Sequence, residues 1–188
     1  MSIDDTTVEN NFKKYFDLLS RLDDSGIVDL VTAFADRIAT CPSSTRDSYT
    51  GCYPGGLVEC SLRITSAMRK LADVYKLDVA PSSIFKIGLL HDIGKIGDLD
   101  NDLFLPQDSQ WHRDKLGELF KYNENVSRMP HADRTMFLLQ HFGIKLTHDE
   151  YVAIAQAHGL GDEKRRFFGD NVPPLAMILR HAKESLVE

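Results

Sequence analysis

The sequence predicts an all-α protein. Apolar residues recur every three or four positions along six separate segments, the spacing of helices with one buried face. Capping and stop residues bracket those segments at the expected places. Only residues 97–130 lack a clear helical period. The expectation is a bundle of six to seven helices with a short β-hairpin around 110–123.

Residues 8–22 carry Phe12, Tyr15, Phe16, Leu18, Leu19 and Leu22 at helical spacing. Asp23-Asp24-Ser25-Gly26 ends that run and offers an N-cap for the next. Residues 27–39 repeat the pattern through Ile27, Leu30, Val31, Phe34, Ala35 and Ile38, and Cys41-Pro42-Ser43-Ser44 stops it. Segment 1–41 is therefore read as a helical pair packed on a main domain of residues 42–188. A polar loop over 42–56 leads into a helix from Leu57 to Tyr75, with Leu57, Cys60, Ile64, Met68, Leu71 and Val74/Tyr75 on one face. Pro81-Ser82-Ser83 opens the next helix, with Ser82 or Ser83 as N-cap. Residues 97–130 are read as a lid or wall, because a long loop in a compact domain is often functional. A helix over 131–143 follows, with Met136, Leu139 and Phe142 facing inward. Thr147 caps residues 148–158, with Glu150 at the capping-box position and Gly159 as the stop. Residues 159–172 form a charged loop holding Lys164-Arg165-Arg166. Pro173-Pro174 opens the last helix, whose stripe of Leu175, Leu179, Lys183 and Leu186 puts a lysine at an inward position.

The chain has 188 residues, 43% of them hydrophobic, enough to bury a core without disulfides. Its net charge of −6, with no long basic block, argues against nucleic acid as the main partner. Cys41, Cys52 and Cys60 are an odd number without CxxC spacing, which fits a reducing cytoplasmic setting. The acidic start has no apolar leader, and no apolar run approaches the ~20 residues of a membrane span, so no membrane association is expected.

The chemistry concentrates in Ile84-Phe85-Lys86-Ile87-Gly88-Leu89-Leu90-His91-Asp92-Ile93-Gly94-Lys95. An imidazole and a carboxylate stand side by side after an apolar run. A buried carboxylate is strongly disfavoured unless something satisfies it. A divalent metal is one solution, since it accepts both groups as ligands. An ordinary core hydrogen bond is the other, and for a lone His-Asp pair it is the commoner one. Lys95 and Arg134 each lie about one turn from a histidine and can reach a phosphate oxygen; simple solvation at helix ends is their alternative. His112, His141 and His148 read as ordinary surface histidines, and His181 as peripheral.

Several strings together resemble the HD-domain metal-dependent phosphohydrolases, most closely the small single-domain members of bacteria and bacteriophages. They are Gly55-Gly56-Leu57-Val58-Glu59-Cys60-Ser61-Leu62-Arg63-Ile64, Leu89-Leu90-His91-Asp92-Ile93-Gly94-Lys95, Met129-Pro130-His131, Ala157-His158-Gly159 and Leu179-Arg180-His181-Ala182. The likeness runs from about residue 50 to the C-terminus. It implies His91 and Asp92 as the central metal pair, with His131 and His158 as further histidines. Two positions depart from the pattern. Cys60 stands where the first ligand histidine is expected, and Lys183 where the closing aspartate is expected. Thr50 also replaces a histidine of the closest members. A thiolate suits zinc but not magnesium or manganese. An ammonium ~4 Å from a dication would be repelled.

Two functional expectations follow. One is a phosphohydrolase acting on a nucleotide or related small phosphate. In it His91, Asp92, His131 and His158, with Cys60 as a further ligand, hold Mn, Co, Ni, Zn or Fe. Asp92 and Lys95 serve catalysis, and Lys95, Arg134 and Lys183 bind substrate. The other is a degenerate domain, with no metal, that binds a nucleotide or a protein partner, or a second copy of itself, without hydrolysis. There Lys183 takes the place of the cation and pairs with Asp92.

Overall fold

The computed structural model describes residues 4–159 and 172–186. Three short helices begin it: α1 (Asp5–Ser20), α2 (Ser25–Ala33) and α3 (Ala35–Thr40). The long α4 (Gly56–Tyr75) and α5 (Pro81–Leu90) follow, then a 3-10 turn, Ile93–Ile96. A two-stranded antiparallel ribbon, β1 (Phe104–Pro106) and β2 (Phe120–Tyr122), encloses α6 (Gln110–Leu116). Helices α7 (His131–His141), α8 (His148–Gln156) and α9 (Pro174–Glu184) complete the described chain. The architecture is all-α. No helix among the described residues is long and apolar enough to cross a membrane.

The core forms around α4, which lies along α5 and α9 on one side and α1 and α3 on the other. Met68, Ile87, Leu90, Leu138, Ile154 and Leu179 are fully buried. Each such side chain is worth about 1.5–3 kcal/mol. Helix α1 reaches the end of α5, where the Tyr15 hydroxyl donates to the Leu89 carbonyl at 3.0 Å. Thr147 and Glu150 make the expected capping box at the start of α8. The residues predicted as a charged loop, including Lys164-Arg165-Arg166, lie outside the described residues.

Four local expectations are corrected. The single helix over 27–39 breaks at Phe34, whose φ of −119° is not helical. The Phe34 ring packs edge-on against Phe142 at 5.7 Å, so a tertiary contact outweighs helical propensity. Val74 and Tyr75 are exposed rather than buried, because the core ends before the last turn of α4. Neither Ser82 nor Ser83 caps α5: Ala80 holds the cap position, and the Ser83 hydroxyl donates to Glu150 at 2.7 Å. The β-ribbon exists, but its first strand precedes residue 110. Ser109 caps α6 by accepting from the His112 amide, and Gly117 ends it at φ +63°, so 110–116 is helical.

Gly94 lets the 3-10 turn lie against α7. A Cβ there would sit 2.6 Å from the Thr135 backbone nitrogen and 2.7 Å from the His131 carbonyl. The Gly94 amide instead donates to the Thr135 hydroxyl at 2.9 Å, whose own proton goes to the His91 carbonyl at 3.2 Å. Gly94→Ala should therefore cost about 1–3 kcal/mol through overpacking, read as a drop in the urea midpoint.

Candidate functional site

Helix α5 delivers His91 at its C-terminal cap, and Asp92 begins the 3-10 turn one residue later. Both are buried. His91 Nδ1 donates to the Gly88 carbonyl at 3.1 Å, the acceptor one turn back, which fixes the tautomer and leaves Nε2 as an acceptor. That Nε2 lies 3.5 Å from Asp92 Oδ2 and has no hydrogen-bond partner among the described residues. Burial pushes the His91 pKa down to about 3, so the ring is neutral.

Three donors converge on the Asp92 carboxylate from separate parts of the chain. Lys95, one turn on, places Nζ 2.8 Å from Oδ2. Lys183 of α9 places Nζ 3.4 Å from Oδ1. His158, just past α8, donates from Nε2 to Oδ1 at 2.6 Å. Burial alone would raise the Asp92 pKa, but these partners, led by Lys95, outweigh it and hold the carboxyl well below its usual range. Desolvation acts against both lysines. For Lys95 the carboxylate wins and the pKa rises; for the more distant Lys183 desolvation wins and the pKa falls.

The remaining expected site residues divide between two cavities. A cavity of about 360 Å³ is lined by Asp92, Lys95, His158, Lys183 and Cys60, and by hydroxyls from the loop before α4. Lys95 Nζ also donates to the Ser43 hydroxyl at 3.3 Å. Arg134 does not reach Asp92. It is buried in the wall of a neighbouring cavity, where Nη2 donates to the Ser127 carbonyl at 2.7 Å. His131 lines that second cavity, and its ring centroid is 5.3 Å from that of His158. The two histidines thus stand between the cavities. Burial, with Lys95 and His158 adding to it, pushes the His131 pKa down to about 4. The hydroxyls of Ser43, Ser44, Ser48 and Thr50 are site residues that sequence reasoning missed or underrated. Their density in the loop before α4 was the available signal.

Of the expected ligands, His91 Nε2 and His158 Nε2 lie 3.5 and 2.6 Å from Asp92, with the His131 ring beside His158. Among the described residues, no three His, Cys, Asp or Glu side chains form a group that would hold an ion. Burial raises the Cys60 pKa, so the residue is a thiol rather than a thiolate. The decisive point is charge. A unit charge pair at 4 Å is worth about 4 kcal/mol at an effective dielectric near 20, so a dication would gain about 8 from the carboxylate and lose about 8 to each ammonium, a net repulsion of about 8. With Lys95 and Lys183 both on the carboxylate, the residues do not fit a divalent metal.

No protein-family model matches the sequence, and neither a search of curated proteins nor one of solved structures returned a match.

Three predictions follow from this geometry. Asp92→Asn, which leaves two ammoniums without their counter-charge, should destabilise the fold by about 3–5 kcal/mol in urea unfolding. Lys183→Met should cost less, because Lys95 still holds the carboxylate. In the unfolded chain both imidazoles titrate near 6.5, whereas the folded protein keeps His91 and His131 neutral down to about 3 and about 4. Between those limits the unfolded chain binds more protons, so stability should fall as pH drops from about 6.5 toward 4. Thermal melts across that range measure it.

Proposed function

We propose that the chain is a degenerate HD-type domain that binds a small phosphate-bearing ligand, a nucleotide by the family resemblance, without a metal and without hydrolysis. The observation that supports this most is the pairing of Lys95 and Lys183 with a single carboxylate. Two ammoniums against one Asp92 leave the pocket with one net positive charge, since the neighbouring His91 is neutral. The lysines meet an entering phosphate with charge-assisted hydrogen bonds. The Ser43 hydroxyl accepts from Lys95 and so holds that ammonium at the pocket. A volume of about 360 Å³ lies at the small end of ligand cavities, the size for a phosphate group and part of what carries it.

A metal-dependent phosphohydrolase of the same superfamily is the competing reading. It is favoured by the bare Nε2 of His91 and the equally unpartnered Nδ1 of His131.

Calorimetric titration with inorganic pyrophosphate and a nucleoside triphosphate, in EDTA, tests the proposal. Binding should appear without metal and weaken as salt is added. Lys183→Met should weaken it roughly tenfold or more, the scale of a lost charge-assisted contact. Absence of binding would refute the proposal. Turnover switched on by Mn, Co, Ni, Zn or Fe would replace it with the hydrolase.

A further inference from the structure

A second cavity is larger than the one that holds Asp92. It has a volume of about 620 Å³ and lies beyond the His131–His158 pair, against the N-terminus of α7 and the end of the β-ribbon. Its wall is largely apolar, built from Leu103, Val126, Met129 and Pro130, with the Tyr122 ring at one side. Tyr122 is 57% exposed and packs on Phe104 at 5.3 Å, so it presents a supported aromatic face. A purely apolar wall would call for a purely apolar ligand. Arg134 changes that.

Arg134 lines this cavity and is only 4% exposed. Among the described residues no carboxylate lies within ion-pair distance of it, although Glu124 lines the same cavity. Its one hydrogen bond spends Nη2 on the Ser127 carbonyl. A buried guanidinium carries five donors in a planar fork, and among the described residues only Nη2 has an acceptor. Asp98 acts on Arg134 only from beyond ion-pair distance, and buried charges are ordinarily paired directly, so a guanidinium beside an open volume suits an anion. Two further features act in the same direction. No side chain caps α7, whose 11 residues begin at this wall with Pro130 as the cap residue. The amides of a helix's first turn favour negative charge. His131, the first residue of α7, has a buried Nδ1 without a partner among the described residues.

We infer that this cavity is a second binding site, separate from the lysine pocket, for a small aromatic anion. Its carboxylate or phosphate is held by the Arg134 fork and the start of α7, and its ring lies against Tyr122 and the apolar wall. The inference rests on Arg134 and the cavity, not on the lysine pocket, and it survives if that pocket binds nothing. Arg134 does not reach Asp92, so the phosphate contact expected of it falls to this second cavity.

Ligand-observed NMR and calorimetry on the full chain test this with phenyl phosphate and benzoate. At least one probe should bind, and the stronger identifies the anion class. Arg134→Lys keeps the charge but loses the fork, and should weaken that probe roughly tenfold or more. Tyr122→Ala, at an exposed position that should not disturb folding, should weaken it several-fold. Lys183→Met should leave it unchanged. No binding of either probe would overturn the inference. So would binding that Lys183→Met abolishes while folded Arg134→Lys or Tyr122→Ala retains it in full.

Discussion

A single buried carboxylate constrains the rest of this structure. Asp92 sits where the chain leaves α5, walled by apolar helices, and a charge so placed must be neutralised. The protein does this with Lys95 from the next turn, His158 from the end of α8 and Lys183 from α9. These three positions are far apart in sequence, so the ion cluster helps hold the 3-10 turn, α8 and α9 in register. The turn itself is seated on α7 through Gly94 and Thr135. The same contacts that satisfy Asp92 therefore align the walls of the pocket above it.

The cluster also decides what the pocket can do. A carboxylate facing empty space and imidazole lone pairs is a place for a dication. A carboxylate already covered by two ammoniums is not, and the surplus charge belongs to the lysines. The ion pairs that bury Asp92 thus leave the pocket cationic. Cys60, protonated and beside the pocket, adds no negative charge to reverse this.

Most of the helices were legible in the sequence because each buries one face, and a buried face leaves a period. The capping box at Thr147 and Glu150, the stop at Gly159 and the lysine in the buried stripe of α9 could all be read directly. The places that could not be read depend on partners distant in the chain. Phe34 leaves its helix for Phe142, and Ser83 turns to Glu150. Helix α6 is too short to show a period, and only its Ser109 and Gly117 ends mark it. At the site, the sequence identified Asp92, Lys95, His158 and Lys183 but not their joint geometry. Arg134 could be read as a phosphate contact, but the cavity it lines could not be read. It follows His131 by three residues, so it shares a helix face with it, but that face meets the second cavity and not Asp92. The hydroxyl loop was underrated because no periodic signal marks a loop wall.

The central claim is that Lys183 occupies the place of a metal. It is tested most directly by growing the protein in medium supplied with Mn, Co, Ni, Zn and Fe and then measuring metal content, together with anomalous scattering from its crystals. The account predicts substoichiometric metal and no anomalous peak near Asp92, with Lys183 Nζ resting on the carboxylate. One metal or more per chain, bonded to His91 Nε2 and Asp92 with Lys183 turned away, would contradict it.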